Sequence, residues 1–225
     1  MKLTAETTIC GDPETVWRLT QTPDQHVRWD ARFTDIESLV YDYAVRYGWP
    51  GRVLDRLIFR PLMVWATRWS FDRLRLWIEQ GISPELSLRL WLVKVIARVF
   101  LGLVWIYEGL VPKLLFVSPG EIELVRRSGW FWPTPLATLH TLGAAEILTG
   151  LWLISGRGER LSVLLASLAM TFFASLVAIT DPAALANPLG GISKNLGLLA
   201  CAATVWMLSP VTPSARRARK QRREP

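Results

Sequence analysis

Cysteine and histidine are scarce. The 225 residues hold two of each: Cys10, Cys201, His26 and His140. Two cysteines build no disulfide framework, and without CxxC or Cys/His spacing no zinc site can be read. GxGxxG, Walker and GxSxG motifs are missing, so nucleotide use and serine hydrolysis have no support. The opening MKLTAETTICGDPE lacks a basic stretch followed by an apolar run, so a cleaved signal peptide is not expected. Charge is also sparse, at 20% of residues against about 25% in an average soluble domain. Apolar residues take its place. They make up 51% of the chain and include twelve tryptophans, which excludes intrinsic disorder and collagen-like repeats.

The charge that is present is unevenly spread. Residues 1–85 carry 11 Lys/Arg against 12 Asp/Glu, net −1. Residues 86–210 carry 9 against 6, net +3, and residues 211–225 carry 6 against 1, net +5. The charge-poor middle contains four long apolar runs, roughly Leu90 to Val117, Pro135 to Ser155, Leu161 to Thr180 and Gly191 to Leu208. About 20 predominantly apolar residues cross a hydrocarbon core as a helix. The third run is free of charge, and Pro112 should kink or end the first. The fourth is short and opens with Lys194 and Asn195. These runs predict an all-α integral membrane protein. Its four-transmembrane-helix bundle follows a small, mostly helical N-terminal segment in which KLTAETTIC alternates weakly, a pattern open to a single strand.

Basic residues near the span ends set the orientation. With both termini cytoplasmic, the inner side holds Arg89, Lys94, Arg98, Arg157, Arg160 and the six basic residues of SARRARKQRREP, eleven in all. The outer side holds four: Lys113, Arg126, Arg127 and Lys194. An inner-membrane, multi-pass protein with both termini inside is expected. The basic tail, residues 211–225, follows a membrane helix directly, so it reads as a topology anchor touching anionic headgroups rather than as a nucleic-acid site.

In the first 85 residues, Asp12 and Pro13 mark a helix start, with Val16, Trp17 and Leu19 supplying its apolar side. Further on, GRVLDRLIFRPLMVWATRWSFDRLRLWIEQG is a long amphipathic stretch broken at Pro61. It mixes Arg52, Arg56 and Arg60 with Trp65, Trp69 and Trp77. Two readings stand for it: a helix lying at a membrane surface, or ordinary packing on its own small domain.

PETVWRLTQTPDQHVRWDARFTDIESL and GWPGRVLDRLIFRPLMVWATRWSFDRLRLWIEQG resemble the first and last portions of START-like (SRPBCC) helix-grip domains. The resemblance implies a fold that grips a hydrophobic ligand between a curved sheet and its last helix. Only about ten residues separate the two pieces, so it also implies an internally shortened version without most of the sheet. RVFLGLVWIYEGLVPKLL, LGAAEILTGLWLISGR and NPLGGISKNLGLL resemble the DoxX-like family over roughly residues 88–210. That resemblance implies a four-helix inner-membrane bundle, an auxiliary subunit of a membrane redox complex rather than a stand-alone enzyme, an oxidoreductase partner, and quinone as the cofactor.

Ionisable groups at membrane depth face the bundle interior, pair, or mark a pathway. Glu108 lies ten residues, about 15 Å, from Arg98, and Glu146 lies about 12 Å from the inner end of the second helix. Two carboxylates at similar depth on neighbouring helices are candidates for proton handling. The structural alternative pairs Glu108 with Lys113 and leaves Glu146 tying helices together. Toward the outer side, Lys113, His140, Lys194 and Asn195 form a candidate binding group for an anionic or quinone-carbonyl headgroup, with interfacial solvation as the alternative. Ser167, Thr171 and Ser175 suggest a small polar stripe for close helix packing, and Cys201 is read as buried filler. The outer loop VSPGEIELVRRSGWFWP supplies Trp130 and Trp132 to an aromatic belt. The expected partners are the bilayer, an oxidoreductase subunit and further copies of the chain; nucleic acid and metal are not expected. The competing function is a non-catalytic scaffold or lipid-interacting protein.

Overall fold

The computed structural model describes residues 7–30, 32, 48–183 and 191–217, and every element among them is helical. The chain divides into two compact units: Met1–Trp91 together with Val211–Pro225, and Leu92–Pro210.

In the first unit, α1 (Pro13–Gln21) begins at the expected cap, where Asp12 Oδ2 accepts from the Thr15 N–H at 2.9 Å. α2 (Pro23–Trp29) is a separate helix, because Pro23 has no N–H with which to continue the ladder of α1. Leu19, Trp29 and Leu74 form a small core with Ile9, Phe71, Trp77 and Ile78 packed on it. The Trp29 Nε1–H donates to the Leu19 carbonyl at 2.9 Å, which settles the one polar atom of that ring. Asp30 follows, fully buried. Arg32 Nε donates to its Oδ1 at 2.8 Å, and His26 Nε2 lies 3.2 Å from its Oδ2. Burial pushes the Asp30 carboxyl up, but the Arg32 guanidinium outweighs it and holds the group below the ordinary carboxylate value.

α3 (Gly48–Leu54), a π-helical turn (Asp55–Phe59) and α4 (Arg60–Gln80) follow one another directly. The expected break at Pro61 is therefore a widening: the missing N–H is absorbed by a turn bonded i→i+5. α4 ends at Gly81 in the left-handed region, φ +68°. Residues beyond the last helix return here. The Ser214 N–H donates to Asp72 Oδ2 at 2.8 Å, Arg217 lies 3.5 Å from the same oxygen, and Arg75 Nε donates to Oδ1 at 2.8 Å. The tail thus begins as part of a packed unit; Arg219, Lys220, Arg222 and Arg223 lie outside the described residues. The expected strand falls partly on residues 1–6, also outside them. Residues 7–10 are irregular, since the Cys10 N–H is taken by Glu79 of α4 at 2.9 Å rather than by a neighbouring strand.

α5 (Pro84–Leu110) runs from the first unit into the second, passes into a π turn (Val111–Leu115) at Pro112, and stops at Phe116. α6 (Pro119–Ser128) occupies the stretch expected to be a loop. Then come α7 (Pro135–Ser155), α8 (Glu159–Thr180) and α9 (Gly191–Leu208). Among the described residues, three helical stretches are long and apolar enough to cross a membrane: Pro84–Leu115, Pro135–Ser155 and Glu159–Thr180. α9, with 18 residues, is about 27 Å long. Leu101 and Trp105 of α5, Leu153 of α7, Val163, Ala166 and Met170 of α8, and Leu198, Ala202 and Val205 of α9 form one core, with Cys201 packed against it as filler.

Glycine pairs set the approach of α5 and α7. A Cβ on Gly109 would lie 2.4 Å from the Gly143 carbonyl oxygen, and one on Gly143 would lie 2.7 Å from that of Gly109. One on Gly102 would lie 2.8 Å from the Gly150 oxygen, and the reverse distance is 2.5 Å. Two crossings seven residues apart hold antiparallel backbones in contact, as small residues do between membrane helices. The stripe Ser167, Thr171 and Ser175 does not serve this purpose. Thr171 and Ser175 are exposed, and their hydroxyls donate to carbonyls four residues back at 2.9 Å. Where α7 turns into α8, Glu159 takes Lys94 Nζ at 2.9 Å, Arg98 and the Ser209 hydroxyl. The outer surface of the unit is apolar, carrying Ile96, Phe100, Leu148, Leu168 and Ile179. That arrangement suits a lipid environment.

Gly109→Leu is expected to force α5 and α7 apart and to lower stability by roughly 1–3 kcal/mol, the usual cost of overpacking. Gly197→Ala, whose methyl meets nothing within 4 Å, is expected to be neutral or stabilising. Thermal unfolding in nanodiscs checks both. Because the folded-state pKa of Asp30 is depressed, its contribution is fully present above the ordinary carboxylate value, 3.8, and is lost as pH falls below it. Proteolysis within residues 1–91 should accelerate over that range in the full chain. Asp30→Ala should weaken the pH dependence, leaving the part due to Asp12 and Glu85, and cost about 3 kcal/mol, the low end for breaking a buried pair, since Arg32 can partly rehydrate.

Candidate functional site: a charged cavity in the helical bundle

Pro112 starts the site. Without an N–H it cannot donate to the carbonyl of Glu108 one turn earlier, which leaves that oxygen free. Lys113, in the π turn that results, donates its Nζ to the Glu108 carbonyl at 3.1 Å. The same Nζ lies 2.9 Å from Glu146 Oε2 on α7 and 3.6 Å from Glu121 Oε2 on α6. The glycine crossing supplies this proximity: a Cβ on Gly143 would lie 2.9 Å from Lys113 Cβ, and one on Gly109 would lie 3.0 Å from Glu146 Cβ. The Lys113 and Glu146 side chains are only 11% and 12% exposed. A second pair joins Lys194 of α9 to Glu108 of α5.

These groups line one cavity of about 540 Å³. Its walls are mostly apolar and aromatic, with Trp105, Leu139, Met170, Phe172, Phe173 and Leu198 prominent, and Trp130 at the lining as well. Size, apolar walls and a few convergent polar groups are the usual make-up of a small-molecule pocket. Two lysines, Lys113 and Lys194, and three glutamates, Glu108, Glu121 and Glu146, share the lining. Glu121 Oε2 and Glu146 Oε2 are buried and lie within ion-pair distance of Lys113, yet neither receives a hydrogen bond of proper direction. Among the described residues no group of three His, Cys, Asp or Glu is arranged to hold a metal ion.

Five of the six residues expected from the sequence, Glu108, Glu146, Lys113, Lys194 and Asn195, come together at this cavity. His140 does not. It is exposed, and its neighbour Leu139 takes the inward position, about 100° round the helix. The expected pairing of Glu108 with Lys113 is replaced by Lys113–Glu146 and Lys194–Glu108, with Lys113 holding only the backbone of Glu108. Glu121, which the sequence does not single out, joins them from α6, a helix in the stretch expected to be an outer loop. Its helix signals were present: Ser118-Pro119 at the start, Glu121 in the first turn, Arg126 and Arg127 in the last, and Gly129 at the end.

Residues 102–203 match the DoxX-like family. Every charged residue of the cavity lies within that stretch. The chain is also similar to an uncharacterised membrane protein of Bacillus subtilis (strain 168), YndG, 41% identical over 93 residues. The alignment covers 41% of this chain and 35% of that relative, so the chain spans about a third of the length of the curated relative it matches. No solved structure matches it. The START-like resemblance of the first 85 residues lies outside the DoxX-like match, and the described residues there contain no strand.

Lys113→Met leaves Glu146 buried without its cation and is expected to cost about 3–5 kcal/mol. The double variant Lys113→Met/Glu146→Gln should recover most of that loss. A double-mutant cycle on thermal unfolding reads the coupling, and additive effects would mean that the pair does not tie the helices.

Proposed function

We propose that this DoxX-like membrane protein is an auxiliary subunit of a membrane redox complex, with its bundle cavity taking the ring of a quinone. The observation that carries the reading is one cavity of about 540 Å³ that joins apolar aromatic walls to a cluster of two lysines and three glutamates. A bound quinone would supply two-electron, two-proton redox chemistry. The residues present fit such a group. Lysine carries three donors for carbonyl oxygens, and Glu108 and Glu146 are acid–base groups beside the same cavity. Lys113 and Lys194 would hold the ring oxygens, Asn195 would add an amide contact, and Glu146 with Glu108 would give and take protons.

The same reading includes four crossings and cytoplasmic termini at an inner membrane. Ser214, after α9, is hydrogen-bonded to Asp72, which precedes α5. Chain segments before and after the bundle share a compact unit, which supports reading both on one side of the membrane and the number of crossings as even. α9 is the fourth, and its Leu196 and Met207 face outward at 69% and 71% exposure. The basic residues expected on the inner side favour that side for both termini. The START-like resemblance takes no part in this function.

A second reading is favoured by one observation: both mid-membrane carboxylates already have lysine partners, as they would if they served only to tie helices. Mass spectrometry of the chain purified gently from native membranes separates the two. Bound quinone or a stoichiometric oxidoreductase subunit is expected. Glu108→Gln and Glu146→Gln should then lower turnover of the complex while insertion and thermal stability persist. Phospholipid alone, without a partner, would make the protein a scaffold. For topology, alkaline phosphatase fused after Gly129 should be active and after Gly156 inactive, with a C-terminal green fluorescent protein bright. A dark C-terminal reporter would leave three crossings.

A further inference from the structure

We propose that residues 48–65 form an interfacial helix that lies on an anionic lipid surface, a contact separate from the crossing helices and from the cavity. Its polarity is inverted relative to a helix packed in water. Trp49, Val53, Leu57, Ile58, Leu62 and Trp65 are all at least 39% exposed, and Leu57 reaches 69%. The buried positions of the segment are Gly51 and the carboxylate Asp55, which is held by Arg60.

The apolar positions keep one face. Trp49, Val53 and Leu57 are spaced by four, and the five-residue step from Leu57 to Leu62 spans the π turn, whose periodicity is i→i+5. Beyond Trp65 the helix changes character, and Trp69, Leu74 and Leu76 are buried in ordinary fashion. The anomaly is thus confined to one stretch. Residues 48–68 carry four arginines against one aspartate, net +3, and Arg52 and Arg56 are exposed among the apolar side chains. An apolar face with interleaved arginines and tryptophans fits the boundary between headgroups and acyl chains, where rings sit at headgroup depth and guanidinium groups reach lipid phosphate. A protein partner burying this face would need acidic groups set among its apolar ones. An anionic bilayer offers both, and a chain with membrane-crossing helices is always beside one.

The test uses the full chain with Cys10→Ser and Cys201→Ala, reconstituted in nanodiscs of phosphatidylcholine and phosphatidylglycerol. Single cysteines replace Leu57 or Arg56 in turn, both exposed positions that tolerate a spin label. Collision with oxygen, which concentrates in acyl chains, is compared with collision with a water-soluble nickel chelate. Oxygen should dominate at position 57 and nickel at position 56. Replacing phosphatidylglycerol by phosphatidylcholine should shift position 57 toward nickel, as should Arg52→Gln/Arg56→Gln, read with the label at position 57. Nickel dominance at both positions would overturn the proposal, because the helix would then lie in water. So would protection of position 57 from both reagents, which would mean a protein cover, either another segment or a second copy. Insensitivity to phosphatidylglycerol would overturn the anionic specificity.

Discussion

The contact of bare backbone between Gly109 and Gly143 is the constraint on which the membrane unit depends. In lipid there is no hydrophobic drive to bring helices together, so association rests on close packing and polar contacts. Glycine makes the first available and brings the second with it. With side chains absent at the crossing, the next residues out, Lys113 and Glu146, meet at 2.9 Å. A residue with a Cβ at either glycine would separate the backbones, and the ion pair with them. The repeat of the crossing at Gly102 and Gly150 fixes the direction of the pair as well as its distance.

Two prolines act in the same way in different units. A proline inside a helix removes a donor and crowds the preceding turn, and both Pro61 and Pro112 are met by a π turn rather than a break. At Pro112 the orphaned carbonyl becomes an acceptor for Lys113, so a backbone defect turns into part of the cavity. At Pro61 the wide turn keeps the outward apolar residues in register across it. Local irregularity in this chain thus coincides with an outward apolar stretch in one unit and with the lining of the cavity in the other.

Polarity is arranged inside out in the bundle. Several of its charged groups lie among the helices, as with Lys94, Arg98 and Glu159 at one end and the lysine–glutamate pairs at the cavity. Beyond the buried core, many of its large apolar side chains face outward. A soluble bundle of this composition would leave that surface exposed to water at great cost. The low charge of the chain and the position of its remaining charge are thus two aspects of one solvent.

The sequence by itself determined the long apolar helices. The bounds of α7 and α9 fell where proline, glycine and the apolar runs put them, because length and hydropathy are properties of a stretch and need no partner. It also marked Glu108, Glu146, Lys113, Lys194 and Asn195, since a polar group in an apolar run is conspicuous without knowledge of its neighbours. Only the tertiary structure decided which lysine takes which carboxylate, that Leu139 and not His140 turns inward, and that Glu121 joins from a helix too polar to read as part of the bundle. Those outcomes depend on rotation about a helix axis and on the distance between helices. One residue is about 100° of rotation, and the distance is set by what the facing helix presents.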